Sequence, residues 1–321
     1  MENILITSAG KRVTLVKQFQ EELKKVCPNA KVFTTEMNPD MSPAAIVSDG
    51  CFCVKSVISA GYISNLLEIC INNNIKIIIP TIDTELMTLS ANKDLFNSHG
   101  IYPIVSELSF IETCRDKRNT GKFLNDKNIR VPNLIDKHNP IFPLFAKPYD
   151  GSLSKDLYIV KSLEELTPNI LTHPKLIFME YIDVNEFKEF TVDMYYGKDN
   201  FVKGIVPRER VEIRAGEINK GYTRKNYLVE FLKNRLDFLP GVIGCICIQL
   251  FYKEINNEVV GIEINPRFGG GYPLSYSANA NFPRNIILEY LFGESVEYSE
   301  TWLDNTLMLR FDSEVIVFNK Q

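Results

Sequence analysis

Gln249, Glu263 and Asn265 are the residues from which a chemistry can first be argued. They lie in IGCICIQLFYKEINNEVVGIEINPRFGGG, residues 243–271. Two runs rich in Ile, Val, Phe and Tyr flank Asn256-Asn257, which reads as a β-hairpin and its turn. Side chains alternate faces along a strand. Gln249 therefore shares a face with Cys245 and Cys247, and Glu263 shares one with Asn265 while Ile262 and Ile264 take the other. Folding about the turn brings Gln249 opposite Glu263. One carboxylate and two amide oxygens then converge beside Arg267 and three glycines. Hard oxygen ligands near a cation suit Mg²⁺ held against a polyphosphate. A polar cluster at a strand end is the competing reading of the same residues.

Other isolated charges point the same way. Lys147 interrupts the apolar run Leu144–Pro148, and a lysine is almost never fully buried without a partner. Gly151, Ser152 and Lys155 follow in a loop of small residues. Glu180 sits in the apolar run LIFMEYI and Glu189 precedes FTVDMY. A buried carboxylate needs donors, which ribose hydroxyls or structural N–H groups would supply equally well. Arg115-Asp116-Lys117-Arg118 opens a helix, where phosphate binds readily or where the charges are simply solvated. Residues 203–225 carry Arg208, Arg210, Arg214, Lys220, Arg224 and Lys225 with few apolar residues. They are expected to form a loop, either mobile surface or a lid that brings guanidinium groups to an anion.

The elements that must position these groups follow from periodicity. Residues 1 to about 110 alternate strand and helix: strands at 4–7, 31–35, 51–54, 76–80 and 101–105, and helices through about Val26, at 62–73 and at 84–98. This order predicts a parallel doubly wound sheet, with ligands near Ser8-Ala9-Gly10, Glu36 and Thr81-Ile82-Asp83. A dinucleotide site is disfavoured, because SAGKR offers one glycine where G-x-G-x-x-G needs three. From Pro143 the pattern turns antiparallel. Strands are expected at 157–160, 176–182, 190–195, 307–311 and 315–318, and helices at 162–171, 226–239, 274–280 and 283–292.

The 321 residues are 45% hydrophobic and 24% charged, with a formal net charge of −4. That is ordinary for a soluble globular protein and gives no global basic character for nucleic acid. No apolar run reaches the roughly 20 residues of a membrane span, and the N-terminus lacks the order of a signal peptide. Seven cysteines without a repeated CxxC pattern read as reduced thiols of a cytoplasmic protein. Cys51/Cys53 and Cys245/Cys247 are expected on strands as small buried hydrophobes, and zinc through them is disfavoured. His99, His138 and His173 fall in loop-like contexts.

Taken together and in order, these motifs resemble the ATP-grasp superfamily, closest to the carbamoyl phosphate synthase large-chain type and stand-alone amino-acid ligases. The resemblance covers nearly the whole chain. It implies an α/β, Rossmann-like pre-ATP-grasp domain at 1–112, a central lobe with its linker at 113–185 and a C-terminal α+β lobe at 186–321. It implies that Lys117 and Lys147 are similar to the phosphate-binding cations, and that Gly151 and Ser152 fall in the flap over the phosphates. Glu180-Tyr181-Ile182 resembles the adenine hinge and Glu189 the ribose acid, with Glu186 its substitute. Gln249, Glu263 and Asn265 match the ligands of Mg²⁺ or Mn²⁺, and Arg267 the phosphate-contacting arginine. Arg208 and Arg214 are the candidates for gripping the acceptor carboxylate or the acyl phosphate. The implied activity is an ATP-dependent carboxylate–amine ligase acting through an acyl phosphate. Its partners would be a small acid and an amine, with no nucleic acid and no membrane, and homodimers are common among such ligases. A synthase-like enzyme acting on bicarbonate and a non-catalytic nucleotide-binding protein are the alternatives.

Overall fold

The structure is a computed structural model that describes residues 2–151, 156–214 and 216–318. Three sheets follow one another along the chain. The first is parallel, with strands β1 (Asn3–Thr7), β2 (Val32–Glu36), β3 (Cys51–Cys53), β4 (Ile75–Pro80) and β5 (Tyr102–Pro103) in the order β3-β2-β1-β4-β5. All five side chains of β1 are buried, as an apolar strand covered on both faces requires. The helices α1 (Val13–Val26), α2 (Pro43–Val47), α3 (Tyr62–Asn72), α4 (Asp83–Ala91) and α5 (Lys93–Ser98) cover it. On α1, Leu15, Val16, Phe19 and Leu23 form the buried stripe.

α6 (Leu108–Arg115) and α7 (Lys117–Asp126) lead to the second sheet. It is small and antiparallel, with β6 (Leu144–Pro148), β7 (Tyr158–Val160), α8 (Pro168–Thr172) and β8 (Leu176–Glu180) in the strand order β7-β6-β8. The third sheet has six antiparallel strands in the order β13-β12-β9-β10-β11-β14. They are β9 (Lys188–Tyr196), β10 (Val202–Arg214), β11 (Glu217–Thr223), β12 (Gly244–Lys253), β13 (Glu258–Asn265) and β14 (Leu307–Leu309), accompanied by α9 (Tyr227–Leu236), α10 (Tyr272–Ser277) and α11 (Phe282–Leu291).

Five expectations are corrected. Residues 203–225 are not a loop but the long hairpin β10–β11. Their charges pair across strands, Arg224 to Glu209 at 2.6 Å and Lys220 to Glu212 at 2.6 Å, so low apolar content did not mean irregular backbone. The helix expected over 84–98 breaks at Asn92, whose side chain donates to Thr88 O at 2.9 Å instead of continuing the helix. Residues 162–171 form only a 3₁₀ turn, after which Pro168 restarts the chain as α8. The closing strand stops at Leu309, and 311–318 forms no regular element. Cys51 is half-buried and Cys53 exposed, because β3 is an edge strand; Cys245 and Cys247 are buried.

The first domain is fastened to the third sheet. Arg267 grips Asp83 through two bonds of 2.8 and 2.7 Å, and the Tyr276 hydroxyl donates to Glu22 at 2.7 Å. The small sheet is held by Lys117, whose N–H donates to Tyr149 O at 2.9 Å, and by an ion pair between Arg130 and Glu180. No helix of the described residues is long and apolar enough to cross a membrane.

Candidate functional site

A cleft of about 770 Å³ opens between the three sheets, within the range of small-molecule sites. Seven cationic side chains and five carboxylates line it, in a chain whose net charge is −4. The cleft is therefore locally positive although the protein is acidic.

The hairpin β12–β13 forms one wall. Its register places Gln249 opposite Glu263 and Cys247 opposite Asn265. Glu263 Oε1 accepts from Gln249 Nε2 at 2.9 Å and from Asn265 Nδ2 at 3.0 Å. The two amides thus already converge on one carboxylate. Lys117 Nζ lies 3.7 Å from Glu263 Oε2 and donates to Gly151 O at 2.7 Å. Asp116 caps α7, its side chain accepting from Arg118 N at 2.9 Å, which fixes the turn that presents Lys117. Lys147 projects from β6 with 6% of its surface exposed. Burial pushes its ammonium pKa down to about 8, with Glu263 opposing and Lys117 adding to the shift. One carboxylate with two amide groups, and cations nearby, is a hard-oxygen set that fits Mg²⁺, an ion that keeps several waters and takes few protein ligands.

An apolar slot adjoins this wall, with Phe145, Met179, Ile182, Phe251 and Ile262 beside the chain at Glu180-Tyr181-Ile182. The Glu180 carboxylate accepts from Arg130 and from Asn133 N and Nδ2 at 3.2 and 3.1 Å. It is thereby already engaged by three protein donors. Glu189 lines the cleft and pairs with Arg210 at 2.7 Å. Burial raises the Glu189 pKa while Arg210 opposes the rise. Glu186 instead bonds Lys253 at the surface and does not line the cleft. Arg210 also donates to Gln249 Oε1 at 3.1 Å and to Gly216 O at 2.8 Å, tying the β10–β11 hairpin to the wall.

The structure separates the two candidate acceptor arginines. Arg208 is 1% exposed and clamps Asp193 with bonds of 2.7 and 2.8 Å; only its flank borders the cleft, next to Gly271. Arg214 is exposed on the hairpin, pairs with Asp312 and lies outside the cleft lining. Residue type alone suggested it, and the direction of a strand side chain decided otherwise. Ser152 lies outside the described residues, whereas Gly151 lines the cleft. Asp193, Cys245 and Cys247 cluster closely enough to suggest a metal. The Asp193 oxygens, however, already accept from Arg208, Cys247 and Ser275, which leaves no lone pair in need of an ion.

Sequence reasoning did not single out Arg12 or Glu217, and named Arg210 only among the charges of residues 203–225; all three line the cleft. Asp83 was foreseen only as a strand-end position. Glu36, which imitated a ribose acid, accepts from Gly10 N and from Ser42 Oγ, and so braces the turn after β1.

Residues 4–104 match a family profile described as PylC-like, N-terminal domain. Residues 172–308 match one described as ATP-grasp in the biosynthetic pathway with Ter operon. A comparison with curated protein sequences returned no match. Among solved structures, the biotin carboxylase domain dimer of Hydrogenobacter thermophilus 2-oxoglutarate carboxylase, in complex with MgADP, ADP and bicarbonate, is similar over 95% of this chain and 73% of its own, at 14% identity and a TM-score of 0.71. N5-carboxyaminoimidazole synthetase from Staphylococcus aureus, complexed with ADP, is similar over 96% and 79%, at 15% identity and a TM-score of 0.69. L-amino acid ligase from Bacillus licheniformis is similar over 91% and 74%, at 16% identity and a TM-score of 0.66.

Proposed function

We infer that this chain, a member of the ATP-grasp superfamily, is an ATP-dependent ligase that activates a small carboxylic acid as its acyl phosphate and passes the acyl group to an amine. The observation that carries the reading is that Lys117, Lys147 and the Gln249–Glu263–Asn265 set line one cleft, together with the apolar side chains Phe145, Met179, Ile182 and Phe251. Solved proteins of this fold hold ADP or MgADP, which agrees with that layout.

In this reading the adenine lies in the slot, against the backbone of Glu180-Tyr181-Ile182, and Glu189 accepts from the ribose. Lys117 and Lys147 face the phosphates, where their charge offsets the repulsion between an attacking carboxylate and the triphosphate. Gln249, Glu263 and Asn265 would hold Mg²⁺, which would neutralise charge on the β- and γ-phosphates. A carboxylate oxygen forms a bond to the γ-phosphorus, the bond from that phosphorus to the bridging oxygen breaks, and ADP leaves. The amine nitrogen then attacks the acyl carbon, phosphate leaves with the C–O electron pair, and the amine loses a proton. Arg267, fixed by Asp83, would meet the transferred phosphoryl group. The β10–β11 hairpin, which lines the cleft at Arg210 and Ile213, would exclude water from the acyl phosphate.

ADP and phosphate release, measured over paired panels of amino acids, small acids and amines, tests this. Release that needs both an acid and an amine is the expected outcome. Release with bicarbonate in place of the acid would make the enzyme a carboxyl-phosphate former, and nucleotide binding with no release under any pair would make it a sensor.

A further inference from the structure

Three arginines and two carboxylates meet at the end of the cleft away from the adenine slot. Asp83 is engaged twice by Arg267. Glu217 Oε2 accepts from Arg310 Nη1 at 2.7 Å, and Arg310 Nη2 holds Gly270 O at 2.6 Å. Two cations are thereby neutralised, and Arg12 is the third. Its nearest acidic oxygen, Glu217 Oε1, is 3.9 Å away, beyond hydrogen-bond reach. Its Nη1 is buried with no hydrogen-bond partner among the described residues. Arg210 Nε is similarly unpartnered, but that guanidinium is neutralised by its bond to Glu189 and makes two others, to Gln249 Oε1 and Gly216 O.

The position of Arg12 is built rather than accidental. It follows the turn after β1, where Ser8 and Gly10 have φ of 51° and 53°. Glu36 braces that turn through Gly10 N and Ser42 Oγ, and Arg12 N donates to Ala9 O at 2.8 Å. Gly270 lets Glu217 lie flat against the facing wall, since a Cβ there would meet its carboxylate. A guanidinium taken from water without a bonded anion is costly. Burial, followed by repulsion from Arg267, depresses the Arg12 pKa from its ordinary value. The charge count at this end is short by one anion.

We propose that Arg12 receives the carboxylate of the acid substrate, so that the first domain contributes a substrate-binding residue to the cleft. The assignment rests on the proposed function for what lies at the other end. It replaces Arg214, which points elsewhere.

The test is calorimetry of the full chain, with and without saturating MgADP, titrated with formate, acetate, malonate and inorganic phosphate, repeated on Arg12→Gln and Arg12→Lys. At least one carboxylate should bind the wild type, weaken tenfold or more in Arg12→Gln and weaken less in Arg12→Lys. MgADP affinity should stay within twofold in both variants. No heat from any carboxylate, equal binding by Arg12→Gln, or Arg12-dependent binding of phosphate alone would overturn the assignment while leaving nucleotide binding intact. Failure of MgADP itself to bind would instead strike the proposed function, and the nucleotide-free titrations would still judge Arg12. Should Arg12→Gln unfold, protection of wild-type Arg12 from phenylglyoxal by malonate, read by mass spectrometry, decides: protection is expected, and unchanged labelling contradicts the proposal.

Discussion

At one end of the cleft, Gln249, Glu263 and Asn265 belong to a single hairpin, and Lys117 and Lys147 come from its neighbours in the fold. At the other end, Arg12, Asp83, Glu217 and Arg267 arrive from four separate stretches of chain, three strand ends of two sheets and the turn after β13. The first arrangement is local and survives as a sequence pattern. The second exists only once the first domain has docked onto the six-stranded sheet. The local end is suited to a ligand common to many enzymes. The assembled end is where one enzyme can differ from another without altering its hairpin.

Breaking the local end should have the largest effect. Glu263→Gln removes the one carboxylate on which both amides and Lys117 converge, and turnover should fall by about 10³-fold, with the circular dichroism spectrum unchanged. Activity that survived this change would move the ion elsewhere. Lys147→Ala should weaken ADP binding by about 10- to 100-fold in calorimetry, the value of a charge-assisted contact of ~1.5–3 kcal/mol.

The contrast sharpens when Arg208 and Arg12 are set side by side. Arg208 has its anion in Asp193, while Arg12 has none within hydrogen-bond distance among the described residues. Asp193→Ala leaves Arg208 buried and unpaired, and should cost about 3–5 kcal/mol of stability in denaturant unfolding. Glu217→Gln, which removes a half-exposed partner of Arg310 and a 3.9 Å neighbour of Arg12, should cost about 1 kcal/mol or less. A comparable loss from both would mean that Arg12 is part of the folding core.

The smallest effect is the pH dependence. Lys147 has its pKa lowered to about 8 by burial, and an incoming phosphate would restore it. Below that value the ammonium is already charged; above it, binding must take up a proton. ADP affinity should therefore fall as pH rises from 7 to 9, with proton uptake visible in buffers of different ionisation enthalpy. Lys147→Arg, permanently charged, should abolish this dependence. An unchanged slope would assign it to another group.

The parallel sheet and the register of the β12–β13 hairpin were readable because strand periodicity fixes which side chains face each other. Gln249 and Glu263, fourteen residues apart, needed only the turn at Asn256-Asn257. The β10–β11 hairpin was misread as a loop because its faces are covered by paired charges, and pairing partners such as Glu209 and Arg224 carry no periodic apolar signal. Arg12 left only the trace of a basic residue after the first strand. The 3.9 Å gap to its nearest described carboxylate, Glu217 of the six-stranded sheet, arises only where the first domain meets that sheet, which one-dimensional spacing does not encode.

The central claim is that this cleft binds a nucleotide through a divalent ion held by Glu263. Calorimetric titration of ATP into the full chain, with and without magnesium, tests it most directly. One site per chain is predicted, whose affinity depends on magnesium and loses that dependence in Glu263→Gln. No binding heat, or equal affinity without magnesium, would contradict it.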